Sequence, residues 1–151
     1  MSLTHISVLL IGFGFMAINL IIHAFFMFLI LKSQSYYMRK YPHLKGIASI
    51  MGPLLAATFL IIISCSIQVI LWSLLVFDFG KFDDFNEALY FSGTTYTTIG
   101  AGKQFLVPPY RALEPMIACT GLLVTGLNTA ILFAVLSNIA RRNPDFEGFF
   151  D

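Results

Sequence analysis

The sequence predicts an all-α membrane protein, with three transmembrane helices and one shorter helix that enters the bilayer and turns back. Three observations predict it. Hydrophobic residues make up 58% of the 151 residues and charged residues only 11%, against about 25% charged in a soluble domain. Met1 to Leu31, Gly46 to Phe77 and Pro115 to Ala140 contain no Asp, Glu, Lys or Arg, and each exceeds the roughly 20 residues that cross a bilayer. Between the last two runs lies a shorter apolar segment that ends in Thr97-Thr98-Ile99-Gly100-Ala101-Gly102.

The first run lacks a basic start, and its apolar core exceeds the about 7–15 residues of a signal peptide. Residues 1–31 are therefore expected to form a transmembrane helix. The connection 32–45 holds four of the nine basic residues, Lys32, Arg39, Lys40 and Lys45, and no acid, which places it in the cytoplasm. Its tyrosines, Tyr36, Tyr37 and Tyr41, suit a segment at headgroup level along the membrane. A net charge of +1, without a dense Lys/Arg cluster, excludes nucleic-acid binding.

The second helix is expected over 46–77, with Pro53 as a kink or helix-start residue and Gly80 as a breaker. Asp84, with Glu87 three residues later, has the spacing of an N-terminal cap, so a short helix should run over 84–97. The third long helix is expected over 110–140, followed by Arg141, Arg142 and a short tail, 143–151. Asp78, Asp83, Asp84, Glu87 and Glu114 all flank the segment between the second and third spans, which puts that segment outside. The N-terminus is then outside and the C-terminus cytoplasmic. Cys65 and Cys119 fall inside expected helices with neither metal-ligand nor disulfide spacing, and are read as small apolar core residues.

Non-helical backbone inside a bilayer is tolerated only where protein buries it or it lines a watery cavity. Glycines at alternate positions, Gly100 and Gly102, permit left-handed backbone values that turn successive carbonyls to one side. Carbonyls of Ile99, Gly100 and Ala101, with the Thr98 hydroxyl innermost, would then coordinate a partly dehydrated monovalent cation. One chain supplies one wall, so a closed path needs several copies around an axis.

Ala88 to Gly102 resembles the pore helix and selectivity filter of the tetrameric potassium-channel superfamily, especially its bacterial two-transmembrane members. The frame of that family is Thr-Val-Gly-Tyr-Gly; here it reads Thr98-Ile99-Gly100-Ala101-Gly102. The resemblance covers about Gly46 to Arg142 and assigns no role to the first helix. It implies a homotetramer, one chain with three further copies of itself and membrane lipid, that conducts potassium passively across the plasma membrane. It implies no cofactor, no small-molecule substrate and no enzymatic chemistry; the ions are the permeant K+ and Na+. The filter would be Thr98, Ile99, Gly100, Ala101 and Gly102, supported from behind by Tyr90, Phe91 and Thr94.

Two positions depart from the family pattern. Ala101 replaces an aromatic whose ring packs behind the filter. Tyr90 and Phe91 would then face a void unless Tyr96, Phe105 or a neighbouring subunit fills it, and a looser filter discriminates potassium from sodium less well. Lys103 replaces an acid at the outer mouth. A ring of close lysines disfavours cations, whereas an ammonium in bulk water, or paired with Glu114 or Glu87, has little effect. Thr94 stands where some members carry a buried Glu; Thr94, Thr95 and Thr97 offer hydroxyls in its place.

On the third helix Gly121, Thr125 and Thr129 recur every four residues and make a small polar stripe, suited either to a cavity below the filter or to close helix packing. The family's cavity positions match Thr125 and Thr129. Asn128 beside them would line the cavity or bond a neighbouring helix. Leu132 and Leu136 suit an apolar constriction that gates by dewetting, and Gly121 or Gly126 the bend point, with the resemblance favouring Gly121. The basic connection before the second helix would be either a sliding collar around that gate or an ordinary anchored loop. His23 is titratable inside a span, where two roles fit: a proton sensor, or a neutral side chain bonded to an adjacent helix. The competing functions are a weakly selective or anion-permeable channel and a non-conducting subunit acting as a scaffold.

Overall fold

The computed structural model describes residues 3–41, 47–79, 82–100 and 106–141. Four α-helices account for most of them, in the order α1 (Leu3–Lys40), α2 (Ile47–Phe79), α3 (Phe85–Tyr96) and α4 (Leu113–Ala140). A 3-10 turn at Tyr110–Ala112 leads into α4, and no strand occurs among the described residues. α1, α2 and α4 are long and apolar enough to cross a membrane. The chain is an all-α membrane protein.

α1 differs from the expected boundary: it does not stop at Leu31 but continues through the basic stretch to Lys40. Residues 32–40 contain no Gly or Pro, and Lys, Arg, Met and Gln are good helix formers, so nothing in them breaks the ladder. At about 1.5 Å per residue the 38 residues of α1 extend about 57 Å, well past a hydrocarbon core of about 30 Å. Pro53 lies inside α2.

The chain divides into two compact units. The first contains residues 1–23 and 65–125. Its apolar core gathers Trp72, Val76, Phe91, Leu113, Ile117 and Val124, all essentially buried. Phe15 packs on Trp72 with ring centroids 5.9 Å apart, and Phe82 on Phe91 at 5.4 Å. Gly12 lets α1 approach α4 closely, since a Cβ there would collide with the Met116 sulfur.

The second unit contains residues 24–64 and 126–151. Ile30, Ala57, Ile131, Val135 and Ile139 form its core. Buried Gln34 of α1 donates from Nε2 to the Val135 carbonyl of α4 at 3.0 Å. Gly52 admits the Tyr37 hydroxyl, which would stand 2.6 Å from a Cβ at that position.

Candidate functional site

α3 has 12 residues, about 18 Å of helix, which is too short to cross a bilayer. Asp84 is its N-cap, in extended backbone, and its main-chain carbonyl accepts from the Glu87 and Ala88 N–H groups at 3.2 and 3.4 Å. The side chain makes no capping bond, contrary to the reciprocal cap the spacing predicts. Instead the carboxylate accepts from Asn86 Nδ2 at 2.8 Å. That bond is the main reason the Asp84 carboxyl sits below its usual range.

The C-terminal end of α3 closes tightly. Thr97 N–H bonds the Gly93 carbonyl, Thr98 N–H that of Thr95 and Gly100 N–H that of Thr94, each at 3.0 Å. These bonds satisfy carbonyls that a helix end otherwise leaves open. Thr98 has φ +63° and Gly100 φ +87°. The glycine adopts such values freely, whereas a β-branched threonine does so rarely, so Thr98 is the strained residue of the turn. Residues 97–99 turn rather than extend, and Ile99 projects outward, 79% exposed. Ala101, Gly102, Lys103 and Phe105 lie outside the described residues, as do Arg142 and the tail.

The expected supports separate. Phe91 is buried in the first unit's core, whereas the adjacent Tyr90 is exposed, as neighbours about 100° apart on a helix must be. The Thr94 hydroxyl donates to the Tyr90 and Phe91 carbonyls at 2.8 and 3.1 Å. Thr97 Oγ1 donates to Gly93 and Thr94 at 2.9 and 3.2 Å. Both hydroxyls are spent within α3 and its cap.

Tyr96, the last residue of α3, turns inward. Its hydroxyl donates to Gln68 Oε1 of α2 at 3.2 Å. Gln68 Nε2 in turn lies 3.5 Å from His23 Nδ1 of α1. His23 is therefore bonded to an adjacent helix, one of the two roles its position allowed. Gln68 carried a readable signal, a strong amide within an otherwise charge-free span, where polar residues are expensive and usually functional. Glu114 Oε1 accepts from Leu106 N–H at 2.6 Å and ties the returning chain to the start of α4.

Gly121 lies directly against the end of α3: a Cβ there would collide with the Tyr96 carbonyl oxygen. Gly126 has nothing comparable within 4 Å. The stripe expected from residue spacing is not uniform, because Gly121 is buried while Thr125 and Thr129 are exposed. Steps of four residues overshoot a helical turn by about 40°, so the row drifts. Thr125 Oγ1 donates to the Gly121 carbonyl at 2.8 Å. Asn128, Leu132 and Leu136 are half-buried. Cys119 is exposed on α4, not a core residue, and Cys65 is half-buried; neither is in a disulfide. Cys65, Ser66, Val69, Ile70 and Leu89, with Tyr96, Thr97 and Thr125, wall a groove of about 550 Å³ beside the end of α3.

No curated protein and no solved structure matches the chain. A family model described as an ion channel matches residues 51–138, a segment that begins early in α2, contains α3 and its terminal turn, and ends near the close of α4. That match covers more than half of the 151 residues, and the chain belongs to this ion-channel family.

Proposed function

We propose that four copies of the chain assemble around an axis so that Thr98, Ile99, Gly100, Ala101 and Gly102 of each form a selectivity filter for monovalent cations. Potassium passes down its gradient with reduced preference over sodium. The observation that carries this reading is the Thr-Thr-Ile-Gly frame at the end of a helix too short to span, inside the segment that matches the ion-channel family. The left-handed Gly100 supports it, since that backbone value aims a carbonyl where an ordinary strand would not.

Tyr90, exposed on a single chain, is available to pack on a neighbouring copy and brace the filter where Ala101 has no ring. Lys103 rings the outer mouth and weakens cation entry. Thr125, Asn128 and Thr129 line the cavity, and Leu132 and Leu136 constrict it on the cytoplasmic side. A bend at Gly121 would have to lift α4 from the Tyr96 carbonyl, so Gly121 serves as a contact surface and Gly126, with open space around it, is the better bend point. The acidic residues Asp78, Asp83, Asp84, Glu87 and Glu114 face outside, and Lys32, Arg39, Lys40 and Arg141 face the cytoplasm of the cell whose plasma membrane holds the channel.

Purified protein in liposomes loaded with potassium tests the reading. A potassium-driven flux is the expected result. No flux under potassium, sodium or chloride gradients would contradict it and favour a non-conducting scaffold.

A further inference from the structure

α1 lies outside the segment that matches the ion-channel family, yet two of its polar side chains, Asn19 and His23, are almost fully buried one turn apart. Polar groups inside a membrane protein persist where they are paired. Asn19 Nδ2 donates to the Phe15 carbonyl of its own helix at 2.8 Å. His23 reaches further. It is 1% exposed, Gln68 0% and Tyr96 5%, so the contacts from α1 through α2 to the last residue of α3 run entirely out of water.

The contacts have one polarity. The Tyr96 hydroxyl donates to the Gln68 oxygen, which turns the Gln68 amide N–H toward His23 Nδ1, an acceptor in the neutral tautomer that carries its proton on Nε2. We propose that His23 is a positioning residue for the ion-selective segment: acting through Gln68, it fixes Tyr96 at the base of the Thr97–Gly100 turn. This rests on the filter assignment made above. The Tyr96 hydroxyl is held at Gln68 and at Cys65, and its carbonyl lies against Gly121. Releasing the Gln68 bond lets the packed ring shift, and with it the helix end whose carbonyls anchor the amides of Thr97, Thr98 and Gly100. The first helix is then a working part of the pore and not only a membrane anchor.

The test uses the full chain in lipid with His23→Phe, His23→Gln and Tyr96→Phe, and His23→Leu as a second apolar variant should the first fail to assemble. Gln at 23 still offers the Gln68 amide an oxygen; Phe and Leu do not. Hydrogen–deuterium exchange should rise at 97–100 in H23F and Y96F while the N-terminal turns of α3, 85–90, keep wild-type protection, and H23Q should restore it. The potassium-to-sodium permeability ratio should fall about fivefold in H23F and Y96F, the weight of one buried hydrogen bond. His23→Phe combined with Tyr96→Phe should be no worse than either single variant. Wild-type exchange at 97–100 in the apolar variants, a uniform rise along α3, or no recovery in H23Q would overturn the proposal. A wild-type chain without cation flux would refute the proposed function alone, because the exchange pattern reads the relay without conduction.

Discussion

Gly121 is fixed by a contact: the Tyr96 carbonyl occupies the space a side chain would need. Gly121→Ala is therefore expected to cost about 1–3 kcal/mol, as overpacking does, or to force α4 off the end of α3. Gly126→Ala meets open space and should be neutral or stabilising by up to about 1 kcal/mol, since alanine is the better helix former. Thermal unfolding of the two variants in detergent checks the contrast, and equal midpoints would contradict it. Sequence spacing picked out both glycines but not the difference between them, because what faces Gly121 comes from a segment 25 residues earlier in the chain. His23 is similar. Its place in a span was visible, but its partner Gln68 became apparent only when α1 and α2 were placed side by side.

Among the elements, the three spans were the most legible, because a charge-free run longer than a bilayer is thick leaves the backbone little choice but helix. α3 was legible in its start at Asp84 and its apolar turn, but not in the way it is capped. The carboxylate is engaged by Asn86, a competing partner that the Asp84–Glu87 spacing does not reveal. Asp84→Ala is thus expected to lower the thermal midpoint only slightly, through the lost Asn86 bond and the lost charge at the helix start. A marked fall would show that the side chain caps the helix after all. Both Asp84 and Glu87 still place negative charge at the N-terminus of α3, where the helix dipole favours it. α1 runs past its charge-free stretch to Lys40. Charge ends contact with hydrocarbon but does not by itself end a helix, and residues 32–40 carry no Gly or Pro; Pro42 is the first such residue after Leu31. At the other end of α3 the left-handed Thr98 was not legible at all, because threonine carries no preference for that conformation.

For the whole molecule, Leu10, Phe13, Ile21, Leu55, Phe59, Leu122 and Phe133 all stand exposed, surface that lipid and other copies of the chain can cover. Family membership makes the protein a passive ion channel in a membrane, with conduction and no covalent chemistry as its activity. The residues that set its selectivity are the heart of the proposal, and Ala101 and Lys103 are where the chemistry of the proposed filter departs most from the potassium-channel frame it resembles. The most direct measurement is the reversal potential of the reconstituted protein in mixed potassium, sodium and chloride, for the wild type and for Ala101→Tyr combined with Lys103→Asp. A wild-type potential set by both cations is expected, with a clear shift toward the potassium equilibrium potential in the double variant. A wild-type potential that follows chloride, or a double variant with unchanged selectivity, would contradict it.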